Sequence, residues 1–131
     1  MTPARLVDTN ILSYIYKRNA LYRAYRPLLS GYVLYISFQT LSEIREGALL
    51  AGWSDAKWQG MAATLSTVTV LHSDDDICDR WAEVRAVRKS RPIGVADAWI
   101  AATALAFNLE LVTHNAADFQ AIPGLVVITL P

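Results

Sequence analysis

Five side chains able to handle a metal ion or a phosphate stand where the chain changes from one kind of element to the next: Asp8, Glu43, Asp97, Asn115 and Asp118. Asp8 closes the short run Arg5-Leu6-Val7 and precedes Ile11, Leu12, Ile15 and Tyr16 at helical spacing. Glu43 falls about two turns into the helical pattern after Val33-Leu34-Tyr35-Ile36-Ser37. Asp97 opens an alanine-rich segment, and Asn115 and Asp118 follow Leu109-Glu110-Leu111-Val112-Thr113. In an open α/β sheet, ligands gather beyond the carboxyl ends of the strands, so these positions converge on one edge. Three or four carboxylates there cannot all stay ionised at neutral pH without a cation among them, because like charges raise one another's pKa. The donors are hard oxygens, with no cysteine or histidine pair at ligand spacing, which selects Mg²⁺ or Mn²⁺ over Zn²⁺. Such an ion keeps several waters and takes a few carboxylates plus phosphate oxygens, the composition of a phosphodiester-hydrolysing site.

Each residue alone has a plainer role. Asp8 can cap the following helix, Asp97 can sit in a first turn favoured by the helix dipole, Glu43 can be a solvated helix glutamate, and Asp118 an ordinary turn residue. What favours a shared site is their coincidence at the ends of successive elements. The charge layout agrees: residues 92–131 contain Asp97, Glu110 and Asp118 but no Lys or Arg. Glu46 is adequately explained as a solvated helix residue.

The elements that must position these groups alternate in type. Strands are predicted at 5–7, 33–37, 68–71, 109–113 and 126–128. Helices are predicted from Thr9-Asn10, across Lys17 to Pro27, from Phe38 to Leu50, from Ser54, from Ser73-Asp74-Asp75-Asp76 to Arg88, and from Val95 to Phe107, with a loop or single turn from His114 to Phe119. That alternation implies a three-layer α/β/α sandwich with a mainly parallel central sheet. The chain has 131 residues, 12 Lys+Arg against 12 Asp+Glu and 53% apolar residues, which describes one domain over 1–131. Zero net charge argues against a strongly basic nucleic-acid coat. No apolar run approaches the roughly 20 residues of a membrane span, and the start lacks the apolar region of a secretory signal, so no membrane contact and a cytoplasmic setting are expected. Lone Cys78 cannot form an internal disulfide and is expected to be a small buried side chain.

The order and spacing of four stretches resemble the PIN-domain ribonucleases, in particular the VapC-like toxins of bacterial type II toxin–antitoxin pairs. They are Leu6-Val7-Asp8-Thr9-Asn10, Leu41-Ser42-Glu43-Ile44-Arg45-Glu46-Gly47, Pro92-Ile93-Gly94-Val95-Ala96-Asp97-Ala98-Trp99-Ile100-Ala101-Ala102-Thr103-Ala104, and Leu111-Val112-Thr113-His114-Asn115-Ala116-Ala117-Asp118-Phe119. The resemblance implies a PIN-like fold and a Mg²⁺-dependent endoribonuclease that leaves a 3′-hydroxyl and a 5′-phosphate. It makes Asp8, Glu43 and Asp97 the core metal-site acids. Family members differ in whether the fourth acid stands at the position of Asn115 or near Asp118, so Asp118 would supply the charge and Asn115 would orient a water or phosphate. Thr9 and Thr113 would orient the acids or bind a water, with Asn10 beside them as a further substrate-positioning group. The partners it implies are an RNA substrate, a cognate antitoxin and a second copy in a homodimer.

Two basic stretches are candidates for RNA contact: Lys17, Arg18, Arg23 and Arg26, and then Arg85, Arg88, Lys89 and Arg91. Solvated helix faces explain any single one of them equally well. Tyr14, Tyr16, Tyr22 and Tyr25 could stack bases, although their helical spacing favours packing, and His114 reads as an exposed loop residue next to the site. A PIN-like domain that has lost catalysis and serves as a scaffold is the main alternative. A phospho-receiver domain would want a Lys near the last strand, and none follows Arg91.

Overall fold

The computed structural model describes residues 2–131. Strand β1 (Ala4–Val7) is followed by helices α1 (Thr9–Lys17) and α2 (Ala20–Leu29), then by β2 (Val33–Ser37), α3 (Phe38–Leu50), α4 (Asp55–Leu65) and β3 (Thr69–Leu71). The second half runs α5 (Asp75–Val87), α6 (Val95–Ala106), β4 (Glu110–Val112), a 3₁₀ turn (Ala116–Phe119) and β5 (Val127–Ile128). The strands form one sheet in the order β3-β2-β1-β4-β5, and every pairing is parallel. This is the expected three-layer sandwich, parallel throughout.

Side chains alternate across a strand, so Leu6 and Val7 face opposite sides of the sheet, and the register Leu6↔Leu111, Val7↔Val112 makes β4 follow the same alternation. Leu6 and Leu111 meet Ala98, Ala101 and Ala104 of α6, whose small side chains let that helix lie close to the sheet. Val7, Val112 and Ile36 meet Ile11 and Leu12 of α1 and Tyr25 of α2. With both faces covered, the strands must be apolar nearly throughout.

The strand order reverses at β1. The chain builds outward from β1 to β2 and β3, then returns through α5 and α6 to place β4 on the other side of β1. The carboxyl ends of β1 and β4 therefore flank the crevice where an open α/β sheet takes its ligand.

Two local differences from the sequence reading have plain causes. The predicted helix over Lys17 to Pro27 is split, because α1 runs on to Lys17, Arg18 turns into the left-handed region at φ 51°, and the Asn19 side chain caps α2 by accepting from Tyr22 N–H at 3.0 Å. Cys78 is exposed rather than buried. The apolar stripe of α5 is Ile77, Trp81 and Val84, and residue 78 is turned about 100° away from it. Among the described residues, no helix is long and apolar enough to cross a membrane.

Candidate active site

The carboxyl edge of the sheet holds a pocket of about 300 Å³ lined by Asp8, Thr9, Asn10, Glu43, Asp97, Ile100, Asn115, Asp118 and Phe119. All four acids singled out in the sequence meet here, together with Thr9, Asn10 and Asn115. Each arrives by a different route. Asp8 is the residue after β1 and the N-cap of α1. Glu43 rides on α3, which starts without a linker at the end of β2. Asp97 is in the first turn of α6, and Asn115 and Asp118 belong to the turn after β4.

Asp8 is 5% exposed and held at both oxygens. Its Oδ1 accepts from Ile11 N–H at 3.0 Å, the capping bond, and its Oδ2 accepts from the Thr113 hydroxyl at 2.5 Å. Fully buried Thr113 in turn accepts from Asn115 N–H at 3.0 Å. Its hydroxyl thus fixes Asp8 and the start of the Asn115 loop together. One Asp8 oxygen caps α1 while Thr113 fixes the other, and the carboxylate still lines the pocket.

On the other wall, Thr9 Oγ1 hydrogen-bonds Glu43 Oε2 and lies 3.0 Å from Oγ1 of buried Thr40. Thr9 has one hydroxyl proton, and an ionised carboxylate can only accept. The proton therefore goes to Glu43, and Thr40 donates to the Thr9 oxygen. Thr40 itself is fixed through its backbone N–H, which donates to Ser37 Oγ at 3.2 Å. The two threonines expected beside the acids thus orient them.

Electrostatically the pocket is unsettled as a bare site. Burial pushes the Asp8 carboxyl up despite its two hydrogen bonds, with a smaller push from Glu43, while His114 pulls it the other way. Burial also raises Asp97, and the negative charges of Asp118, Asp8 and Glu43 raise it further. Among the described residues, no three His, Cys, Asp or Glu side chains close up to enclose an ion by themselves. Oxygen donors spaced around an open pocket fit Mg²⁺, which retains waters and dehydrates reluctantly.

These shifts have a signed consequence. Asp8 and Asp97 bind protons more tightly folded than unfolded, so stability falls as pH rises from the ordinary value of 3.8 through their raised values, and remains lower above them. A divalent cation bound among these acids would take over the proton's role there. Millimolar Mg²⁺ or Mn²⁺ is expected to raise the melting temperature at pH 7 and to raise it much less near pH 4, where protons compete for Asp8 and Asp97. Equal increments at both pH values in a thermal melt would contradict this.

Arg88 needs correcting as an RNA-binding candidate. It is 8% exposed, with Nε donating to the Arg91 carbonyl at 2.7 Å and Nη1 donating to the carbonyls of Asp118 (3.1 Å) and Gln120 (2.9 Å). Its guanidinium ties the turn that carries Asp118 to the end of α5. The signal was present in the sequence, because residue 88 continues the Ile77, Trp81, Val84 stripe. Arg85 is partly engaged as well, donating to the Ile93 carbonyl at 2.6 Å and lying over the Trp81 ring. Lys89, Arg91, Lys17, Arg18, Arg23 and Arg26 are exposed. Lys17 stands at the far end of α1 from Asp8, about 13 Å along the axis. Glu110 stands at the amino end of β4, opposite the edge that carries the pocket, and pairs there with Arg5 Nε at 3.0 Å.

The PIN domain family model matches residues 5–125. Ribonuclease VapC1 of Haemophilus influenzae (strain R2866) is 34% identical over 125 residues, covering 92% of each chain. Among solved structures, VapBC2 from Rickettsia felis bound to a DNA fragment from their promoter superimposes with a TM-score of 0.85 at 25% identity, over 98% of this chain and 99% of that one. A toxin–antitoxin complex from Klebsiella pneumoniae does so with a TM-score of 0.74 at 32% identity, over 96% and 97%.

Proposed function

The chain belongs to the PIN domain family, and on that premise we propose that it is a metal-dependent endoribonuclease acting as the toxin of a type II toxin–antitoxin pair. The observation that carries this reading is the convergence of Asp8, Glu43, Asp97 and Asp118 on one pocket at the sheet's switch point. Likeness to a ribonuclease and to toxin–antitoxin complexes over nearly the whole chain supports both halves of it. The retained acids speak against a scaffold that has lost catalysis.

Asp8, Glu43, Asp97 and Asp118 would hold the ion, Mg²⁺ or alternatively Mn²⁺. When bound, such an ion supplies a Lewis acid for phosphate oxygens and acidifies coordinated water. The protein's own contribution is placement. Thr113 and the Ile11 N–H hold Asp8 in one orientation, and Thr9, backed by Thr40, holds Glu43 in another. Asn10 and Asn115 place amide groups at the pocket, suited to hydrogen-bonding a phosphate or ribose. In the hydrolysis a water oxygen would bond to phosphorus as the P–O3′ bond breaks and O3′ takes a proton, leaving a 3′-hydroxyl and a 5′-phosphate with no side chain becoming covalently attached.

An antitoxin protein would block this activity in the cytoplasm. A groove of about 510 Å³ between α3 and α4, lined by Ala48, Leu49, Trp53 and Trp58, offers apolar surface for a protein partner, and Leu49 and Leu50 are each 82% exposed. The protein is further expected to form a homodimer.

The test is incubation of pooled cellular RNA with purified protein freed of its antitoxin, in Mg²⁺ or in EDTA. Discrete fragments in Mg²⁺ and intact RNA in EDTA are expected. Folded, antitoxin-free protein that leaves every RNA intact and shows no melting-temperature response to Mg²⁺ would point to the scaffold instead.

A further inference from the structure

His114 is an exposed side chain held in place by a buried one. Its Nδ1 lies 2.6 Å from the hydroxyl of Tyr25, which is fully buried. That hydroxyl also lies 3.3 Å from the Thr113 carbonyl and 3.3 Å from Thr129 Oγ1, so it has partners without the histidine; with its one proton given to Nδ1 across the short contact, the imidazole keeps its own proton on Nε2, as a donor. The imidazole stands edge-on to the Tyr25 ring at 5.5 Å and to the Tyr14 ring at 6.0 Å. Tyr14 stacks along Tyr25 at 6.4 Å. The core gains little from fixing a surface imidazole, whereas a ligand contact gains a pre-oriented Nε2, the ring nitrogen left free.

The location gives that nitrogen a use. His114 lies between Thr113, which holds Asp8, and Asn115, which lines the acidic pocket. It is also the only side chain from 92 to 131 able to carry positive charge. A pocket of four acids repels a polyanion, so the strand needs a donor or cation close by. Half-buried Tyr14 adds an aromatic surface, near enough to Asp8 that the carboxylate, after burial, helps to raise its phenol pKa.

We propose that His114 and Tyr14 form a nucleotide subsite beside the acidic pocket, with His114 Nε2 contacting the RNA backbone next to the scissile phosphate and Tyr14 packing against the adjoining sugar or base. Tyr25 is the positioning residue that holds His114. This rests on the ribonuclease reading, and its test separates the two.

The probe is a labelled oligoribonucleotide spanning a cut made by the wild type. Its affinity is measured by fluorescence anisotropy in an Asp97→Asn background, and KM and kcat in the active one. His114→Ala and Tyr14→Ala are each expected to weaken binding and raise KM roughly tenfold, the worth of one charge-assisted contact for the histidine and of one stacking contact for the tyrosine, with a smaller effect on kcat. Tyr25→Phe keeps the ring and removes the hydroxyl. It is expected to weaken binding roughly threefold on its own and to add nothing to His114→Ala, since a positioning residue has no effect once its client is gone. A purely structural Tyr25 would lower the melting temperature of both backgrounds and leave affinity unchanged. Unchanged affinity and KM in His114→Ala would overturn the subsite while the nuclease stands, and additive losses in the double variant would overturn Tyr25 as its positioning residue. Wild-type protein that cuts no RNA would overturn both.

Discussion

Asp97→Asn is expected to cut RNA at least ~10³-fold more slowly than the wild type while melting no lower, and higher in metal-free buffer at pH 7. The substitution is nearly isosteric and removes one charge from a pocket where burial and three neighbouring acids already disfavour that charge. On the proposed mechanism activity needs the charge, because a cation shared among carboxylates would lose both a ligand and much of its attraction. Stability does not need it. Because the folded pKa is raised, the wild type bears the cost of the ionised form above the raised value and is relieved of it as pH falls toward 3.8. The gap between the two melting curves should therefore close in acid. Asp8→Asn should lose activity to a similar degree without gaining stability. An asparagine there can still cap through its carbonyl oxygen, but its amide would stand where Oδ2 accepts the Thr113 hydroxyl proton, leaving that buried donor without its acceptor. Single-turnover cleavage and thermal melts across pH measure both effects. An Asp97→Asn protein that cuts at wild-type rate would remove Asp97 from the chemistry.

The site was legible in the sequence to the extent that it depends on where elements begin and end. Asp8 and Asp97 stand at a strand's end and a helix's first turn, and a parallel sheet brings all such positions to one edge. Glu43 became legible once α3 was placed, because its distance from Ser37 follows from helix geometry. What holds the acids was less visible. The chain Thr40, Thr9, Glu43 joins α3 to α1, and the bond from Thr113 to Asp8 joins residues 105 apart, so both depend on strand register rather than on local pattern. The second helix was misplaced at its start because its boundary is a left-handed Arg18, a residue type that gives no sign of that conformation. His114 was legible as a neighbour of the site but not as a fixed one, since its tether, Tyr25, is 89 residues away.

Charge alone misplaced Arg88, and the largest stability effect is expected there. Arg88→Met keeps most of the aliphatic stem and removes the guanidinium. Three carbonyls, of Arg91, Asp118 and Gln120, then lose their donor at a site where the arginine is 8% exposed. Among the described residues Arg88 forms no ion pair, so its net worth is that of its hydrogen bonds rather than of a buried salt bridge. A hydrogen bond to a charged donor contributes about 1.5–3 kcal/mol, and these three share one group, so a combined loss of about 3 kcal/mol is expected. For a domain of this size that lowers the melting temperature by roughly 10 °C. Activity should fall further than the unfolded fraction explains, because two of the three carbonyls belong to the turn and flank that present Asp118 to the pocket. Arg88→Lys sharpens the test. A single ammonium reaches fewer of the three acceptors and should recover only part of the stability. If Arg88→Met melted like the wild type, the Asp118 turn would be shown to hold its shape without the clamp, and residue 88 would return to the surface cations from which its burial separates it.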